Sequence, residues 1–150
     1  MNGPRTIHAS CAEICGRGVV ICGEAGAGKT SLLLELIKRG AAFIADDAVK
    51  IERREGRLWA SAPETTRGMV AASPFRISEI HDVAAGAAVT VEAAVSLCVL
   101  LDRKAAPDEI LNGIPQLTLS RSGSRGLPKE REEMVRRIFA TLTNAEEKKN

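Results

Sequence analysis

Aromatic side chains are scarce in this chain. They make up 3% of its residues, with no tyrosine, and the formal net charge is only +2. Little is present to stack on bases or to neutralise phosphates along a strand, so nucleic acid is disfavoured as a partner. Long apolar runs are absent too, and none approaches the ~20 residues of a membrane-spanning helix. Met1 to Ser10 lacks the apolar core of a secretory signal, which leads us to expect a cytoplasmic protein with no membrane partner. The four cysteines, Cys11, Cys15, Cys22 and Cys98, lack paired C-x-x-C spacing, and three lie in apolar, strand-like runs. They read as reduced, structural residues rather than metal ligands. Internal repeats and low-complexity segments are also missing.

With 150 residues, 45% of them hydrophobic, the chain can bury one core and is too short for two ordinary domains. The most informative stretch runs from Val19 to Arg39. Gly23-Glu24-Ala25-Gly26-Ala27-Gly28-Lys29-Thr30 satisfies G-x-x-x-x-G-K-[ST], preceded by the apolar run Val19 to Cys22 and followed by a helical apolar stripe. Gly23, Gly26 and Gly28 allow backbone conformations closed to residues with a Cβ, so that successive N–H groups can line an anion-binding nest. The helix N-terminus adds partial positive charge, Lys29 can reach the β- and γ-phosphates, and the Thr30 hydroxyl suits Mg²⁺. A chance glycine turn would not require both flanks. ATP with Mg²⁺ is the expected ligand.

The pattern before the loop predicts a strand over Thr6 to Ile14 carrying His8, a turn at Gly16-Arg17-Gly18, and a second strand to Cys22. After it, Leu32, Leu33, Leu36 and Ile37 predict a helix that ends at Gly40. Ala41 to Ala45 reads as a buried strand, and Val49 to Arg53 with Arg57 to Ala60 as a hairpin over Glu55-Gly56, with Trp59 packed there. Between Ala62 and Ala88 the pattern predicts loops with short strands near Met69 to Ala71 and Phe75 to Ile77. Val95 to Leu101 and Gln116 to Leu119 read as strands. Pro128 opens a last helix with Met134, Val135, Ile138 and Leu142 on one face, and residues 145–150 are expected to form a frayed polar tail beyond a single domain over 1–144.

An aspartate at a strand end beside a phosphate loop can serve a metal or take the proton of an attacking hydroxyl. Two segments compete, Phe43-Ile44-Ala45-Asp46-Asp47 and Leu97 to Asp102, and their patterns alone favour neither. Adjacent carboxylates raise one another's pKa unless a cation or imidazole stabilises them, which His8 could do.

Ile7-His8-Ala9-Ser10, the Gly23 to Thr30 loop, the helix ending Leu34-Glu35-Leu36-Ile37-Lys38-Arg39-Gly40, and Ile44-Ala45-Asp46-Asp47-Ala48-Val49 together resemble the catalytic domain of HPr kinase/phosphorylase. The resemblance is closest over residues 6 to 61. It implies an α/β P-loop domain of phosphoenolpyruvate-carboxykinase-like type, with a mixed central sheet and flanking helices. It also implies ATP-dependent phosphorylation of a serine on an HPr-like phosphocarrier protein, often with phosphorolysis of the product. By the same resemblance Asp46 is the acid/base, chosen over Asp102; Asp47 pairs with His8, Lys29 serves phosphate, and Thr30 and Glu64 are the metal ligands. A short, single-domain form and a homo-oligomer follow from it as well. Two segments depart from the family pattern. Glu64-Thr65-Thr66-Arg67-Gly68-Met69 has its acid one place out of the E-x-R-G-x-G signature and lacks the last glycine. Ile114-Pro115 to Ser124 matches the P-x-R-P-G-R-N loop only loosely. An ATP-binding sensor without turnover and a kinase for a small metabolite are the competing readings.

Overall fold

In the computed structural model, which describes residues 3–24, 28–73, 76–101, 107–119 and 128–148, ten strands and three α-helices follow one another along the chain. They are β1 (Arg5–Ile7), β2 (Ser10–Ile14), β3 (Arg17–Cys22), α1 (Lys29–Lys38), β4 (Ala42–Ala45), β5 (Val49–Arg54), β6 (Arg57–Ser61), β7 (Met69–Ser73), β8 (Arg76–Glu79), α2 (Ile80–Val83), β9 (Glu92–Leu100), β10 (Gln116–Thr118) and α3 (Pro128–Lys148). Ala25, Gly26 and Ala27 of the loop, Asp102, and Ser120 to Ser124 lie outside the described residues.

Eight strands form one mixed sheet in the order β1-β5-β6-β9-β3-β2-β4, with β10 beside β9. This order forces the sheet to curl. β1 and β2 stand five steps apart, which in a flat sheet is about 24 Å. Yet only His8 and Ala9 separate them in sequence, a span of about 10 Å. The curled interior buries Ile7, Val20, Ile44, Ile51, Leu58 and Leu100, among others. The outer face of β2, β3, β4 and β9 is covered by α1 and α3 through Leu32, Leu33, Leu36, Ile138 and Leu142. β3 is therefore buried on both faces, which explains its unbroken apolar run.

Local chemistry accounts for most boundaries. Cys15 and Gly16 both have positive φ (50° and 80°), as a two-residue hairpin turn requires, so the β2–β3 turn falls there and Arg17 and Gly18 enter β3. A Cβ on Gly18 would stand 3.0 Å from the Ala94 carbonyl oxygen, so the close approach of β3 to β9 needs glycine. Glu55 and Gly56, also at positive φ, turn β5 into β6 as expected, and Arg54 stacks 4.8 Å from the Trp59 ring centroid. The helix α1 ends at Gly40, where the Gly40 and Ala41 amides donate to the Ile37 and Leu36 carbonyls.

Three expectations are corrected. His8 lies in the bend between β1 and β2 rather than on a strand, because β1 leaves the hairpin to pair with β5. β9 begins at Glu92, since its first residues Glu92 to Ala94 pair with β6 as well. The last helix runs through Lys148, past Asn144, because Ala145, Glu146, Glu147 and Lys148 are good helix formers. Residues 149–150 are outside the described set. Among the described residues no helix is long and apolar enough to cross a membrane.

Candidate active site

The antiparallel pairings of β2 with β3 and β4 make β4 parallel to β3, and β9 is parallel to β3 directly. The glycine loop after β3 and the Asp46-Asp47 pair after β4 therefore emerge at one edge of the sheet, the edge at which α/β proteins bind ligands. Leu101 donates its amide to the Cys22 carbonyl at 3.0 Å, so the end of β9 reaches the same edge.

Gly28 caps α1 in the left-handed conformation, φ 100°, a geometry that a Cβ would penalise. Lys29 is the first helical residue, and its ammonium turns back to donate to the Gly23 carbonyl at 2.7 Å and the Glu24 carbonyl at 3.0 Å. Its side chain is buried. Burial lowers its pKa, an effect that the charges of Asp47, Asp46 and Cys22 oppose. A cation held in a cradle of loop carbonyls at a helix N-terminus fits a polyphosphate.

The placement of Asp46 depends on a β-bulge. Cys11 pairs with Ala45 but Ala12 pairs with Phe43, so Ile44 is an extra residue in β4. Ile44 and Ala45 consequently both point into the curled interior, while Phe43 faces the helices. Asp46 then turns to the helix side. It is buried, and it accepts hydrogen bonds from Thr30 Oγ1, at 2.9 Å from Oδ2 and 3.1 Å from Oδ1, and from Ser10 Oγ at 2.5 Å from Oδ1. Because Thr30 gives its proton to Asp46, the lone pairs of its oxygen can serve a hard cation, and the residue fits Mg²⁺.

Asp47 adopts φ 67°, and the Ala48 amide donates to the Asp46 carbonyl at 2.8 Å, so the chain makes a tight three-residue turn centred on Asp47. This turn sends the two carboxylates apart. Asp47 Oδ1 lies 3.3 Å from His8 Nδ1, as the resemblance implies, with both side chains more than half exposed. Such a pair contributes about 0–1 kcal/mol to stability.

Glu64 opens a single helical turn, Glu64–Thr66, after β6 and is exposed. Among the described residues no group of three or more His, Cys, Asp or Glu is placed to hold a metal ion. Cys11 is buried, Cys15 is exposed, and the sulfurs of Cys22 and Cys98 lie 3.8 Å apart below the loop. Ser10 was not singled out as a site residue from sequence. Only the bulge in β4 brings it against Asp46.

Comparison with known proteins bears on this site. The family model of the HPr Serine kinase C-terminal domain matches residues 2–116. The HPr kinase/phosphorylase of Clostridium tetani is 47% identical over 64 residues, which is 43% of this chain and 21% of that protein. The HPr kinase/phosphorylase of Caldanaerobacter subterraneus subsp. tengcongensis is 32% identical over 136 residues, 81% of this chain and 45% of that protein. The chain thus spans less than half the length of these curated relatives. In three dimensions it is similar to the Hpr(Ser) kinase/phosphatase from Coxiella burnetii, with a TM-score of 0.70, 25% identity and 96% of each chain covered.

Proposed function

Because the chain belongs to the HPr serine kinase C-terminal domain family, we propose that it transfers the γ-phosphoryl group of ATP to a serine of an HPr-like phosphocarrier protein. The observation that carries this reading is the buried Asp46 carboxylate hydrogen-bonded to Thr30 of the phosphate loop. A carboxylate in that position would stand beside phosphates held by the loop and could accept a proton there.

The division of labour follows from the chemistry. Lys29 and the α1 N-terminus bind and orient the β- and γ-phosphates. Asp46 takes the proton from the serine hydroxyl as the new O–P bond forms, because a neutral hydroxyl is a poor nucleophile. Asp47, oriented by His8, keeps a second carboxylate at the mouth of the site. Thr30, with Glu64 as the resemblance implies, would hold Mg²⁺, which when bound neutralises charge on the phosphoryl oxygens. Reversal of the same steps with inorganic phosphate as acceptor would give the phosphorylase activity.

We further infer that the fold is of the phosphoenolpyruvate-carboxykinase-like P-loop type, with residues 1–144 as one catalytic unit that acts in the cytoplasm and assembles as a homo-oligomer. Support for the fold type comes from the strand–loop–helix order β3, Gly23 to Thr30, α1, and the aspartate just after β4. The departure of Glu64 from the second family signature favours an ATP-binding sensor as the alternative. Incubation with γ-labelled ATP, Mg²⁺ and purified HPr separates them: label on an HPr serine supports the kinase, whereas tight ATP binding with no transfer supports the sensor.

A further inference from the structure

The described residues contain three buried polar or charged side chains, Ser10, Lys29 and Asp46. Two of them belong to the machinery already described. The third, Ser10, is fully buried on β2 between strands β3 and β4. Its hydroxyl points at Asp46. The pairing of Cys11 with Ala45, continued by one residue, sets Ser10 opposite Asp46, and Ser10 Oγ donates to Oδ1.

The two hydroxyls on Asp46 do different things. Thr30 lies at nearly equal distances from both carboxylate oxygens, 2.9 and 3.1 Å, so it does not distinguish one from the other. The terminal torsion of an aspartate is broad and nearly two-fold, and nothing in Thr30's contact selects an orientation. Ser10 binds Oδ1. We propose that Ser10 is a positioning residue that clamps Oδ1 of Asp46, fixing the carboxylate so that a defined oxygen faces the acceptor hydroxyl. This rests on the proposed role of Asp46 as proton acceptor. Displacement of a reacting group by a fraction of an ångström is costly to the chemical step and nearly neutral to substrate binding.

The test is steady-state phosphorylation of HPr by ATP·Mg²⁺ with the parent chain, Ser10→Ala, Ser10→Thr, Asp46→Asn and the Ser10→Ala/Asp46→Asn double variant, alongside ATP affinity and thermal unfolding. Ser10→Ala is expected to lower kcat by about 10- to 100-fold, the worth of a hydrogen bond to a charged group. KM for ATP and ATP affinity should stay near the parent values, while the unfolding midpoint should fall by only a few degrees, the cost of one buried hydrogen bond, leaving the protein folded at the assay temperature. Ser10→Thr, which keeps the hydroxyl, should recover most of kcat, and Ser10→Ala should add nothing to Asp46→Asn, since it acts through that residue. A parent-like kcat in Ser10→Ala, a loss confined to KM, or full additivity with Asp46→Asn would overturn the inference alone. Failure of the parent chain to phosphorylate HPr, or full activity in Asp46→Asn, would instead remove the functional reading and this inference with it.

Discussion

Thr30 Oγ1 lies 2.9 Å from Oδ2 of Asp46, joining the last residue of the glycine loop to the strand that follows its helix. The two positions are 16 residues apart in sequence. Thr30 in this arrangement gives its proton to Asp46, and in the proposed function its oxygen would serve Mg²⁺. Thr30→Ala should therefore weaken Mg²⁺ dependence more than it weakens binding of metal-free ATP, whereas Thr30→Ser, which keeps both functions, should stay close to the parent. Titration of activity against Mg²⁺ at fixed ATP reads the difference. An unchanged Mg²⁺ requirement in Thr30→Ala would remove the residue from the metal site.

Lys29 is the cation built into the loop, and Lys29→Ala should lower ATP affinity by at least about ten-fold, the scale of one lost charge-assisted contact. Its pH dependence has a definite sign. Burial lowers the Lys29 pKa, so the free protein gives up this proton before an ordinary lysine would. In the window between the lowered and the ordinary value the unfolded chain binds more protons, so this group adds stability as pH rises through it. Phosphate binding needs the ammonium, and ATP affinity should fall across the same window. Calorimetry over an alkaline pH series checks this: the decline should be present in the parent and absent in Lys29→Ala.

His8 pairs with Asp47 through Nδ1, 3.3 Å from Oδ1. His8→Ala should thus cost less in phosphoryl transfer than Asp46→Asn, with little change in stability because the pair is largely exposed. Parallel measurement of kcat and the unfolding midpoint decides it. A loss as large as that of Asp46→Asn would make His8 a direct participant.

The four thiols should react in an order set by their surroundings. Cys15, exposed on the β2–β3 turn, should be modified first by an aromatic disulfide reagent. Burial pushes the Cys11 thiol up, and the neighbouring Cys22 thiol together with burial does the same to Cys98. Cys22 itself is lowered, chiefly by its hydrogen bond with Cys98. Cys11 and Cys98 should therefore stay unmodified until the protein unfolds, with Cys22 between the extremes. Labelling of Cys11 as fast as Cys15 would contradict the packing of β2 between β3 and β4.

Residues that act through local chemistry were legible in the sequence. The start of α1 at Lys29 behind a left-handed Gly28, the α1 stripe with its Gly40 stop and the Glu55-Gly56 hairpin each depend on contiguous residues, and each is found where the pattern puts it. What escaped depends on register. Neither the extra Ile44 in β4 nor the extra Ser96 in β9, where Gly18 pairs with Val95 and Val19 with Leu97, leaves a mark in hydrophobic alternation. Yet the first of these turns Asp46 toward Thr30 and brings Ser10 beside it. Curling of the sheet was equally hidden, since it follows from the strand order and from the two residues between β1 and β2. Between Asp46 and Asp102, patterns alone offered no choice; Asp46 is in contact with Thr30, and Asp102 lies outside the described residues.

Asp46→Asn tests the catalytic proposal most directly. The amide keeps the shape of the side chain and an oxygen for Ser10 and Thr30, but it cannot take a proton from a serine hydroxyl. With γ-labelled ATP, Mg²⁺ and HPr, transfer should drop by the ~10²–10⁴-fold typical of lost general-base catalysis. ATP affinity should remain within a few-fold of the parent, measured on the same preparation. Parent-like transfer by Asp46→Asn, with the fold and ATP binding intact, would contradict the assignment of Asp46 as the residue that activates the acceptor.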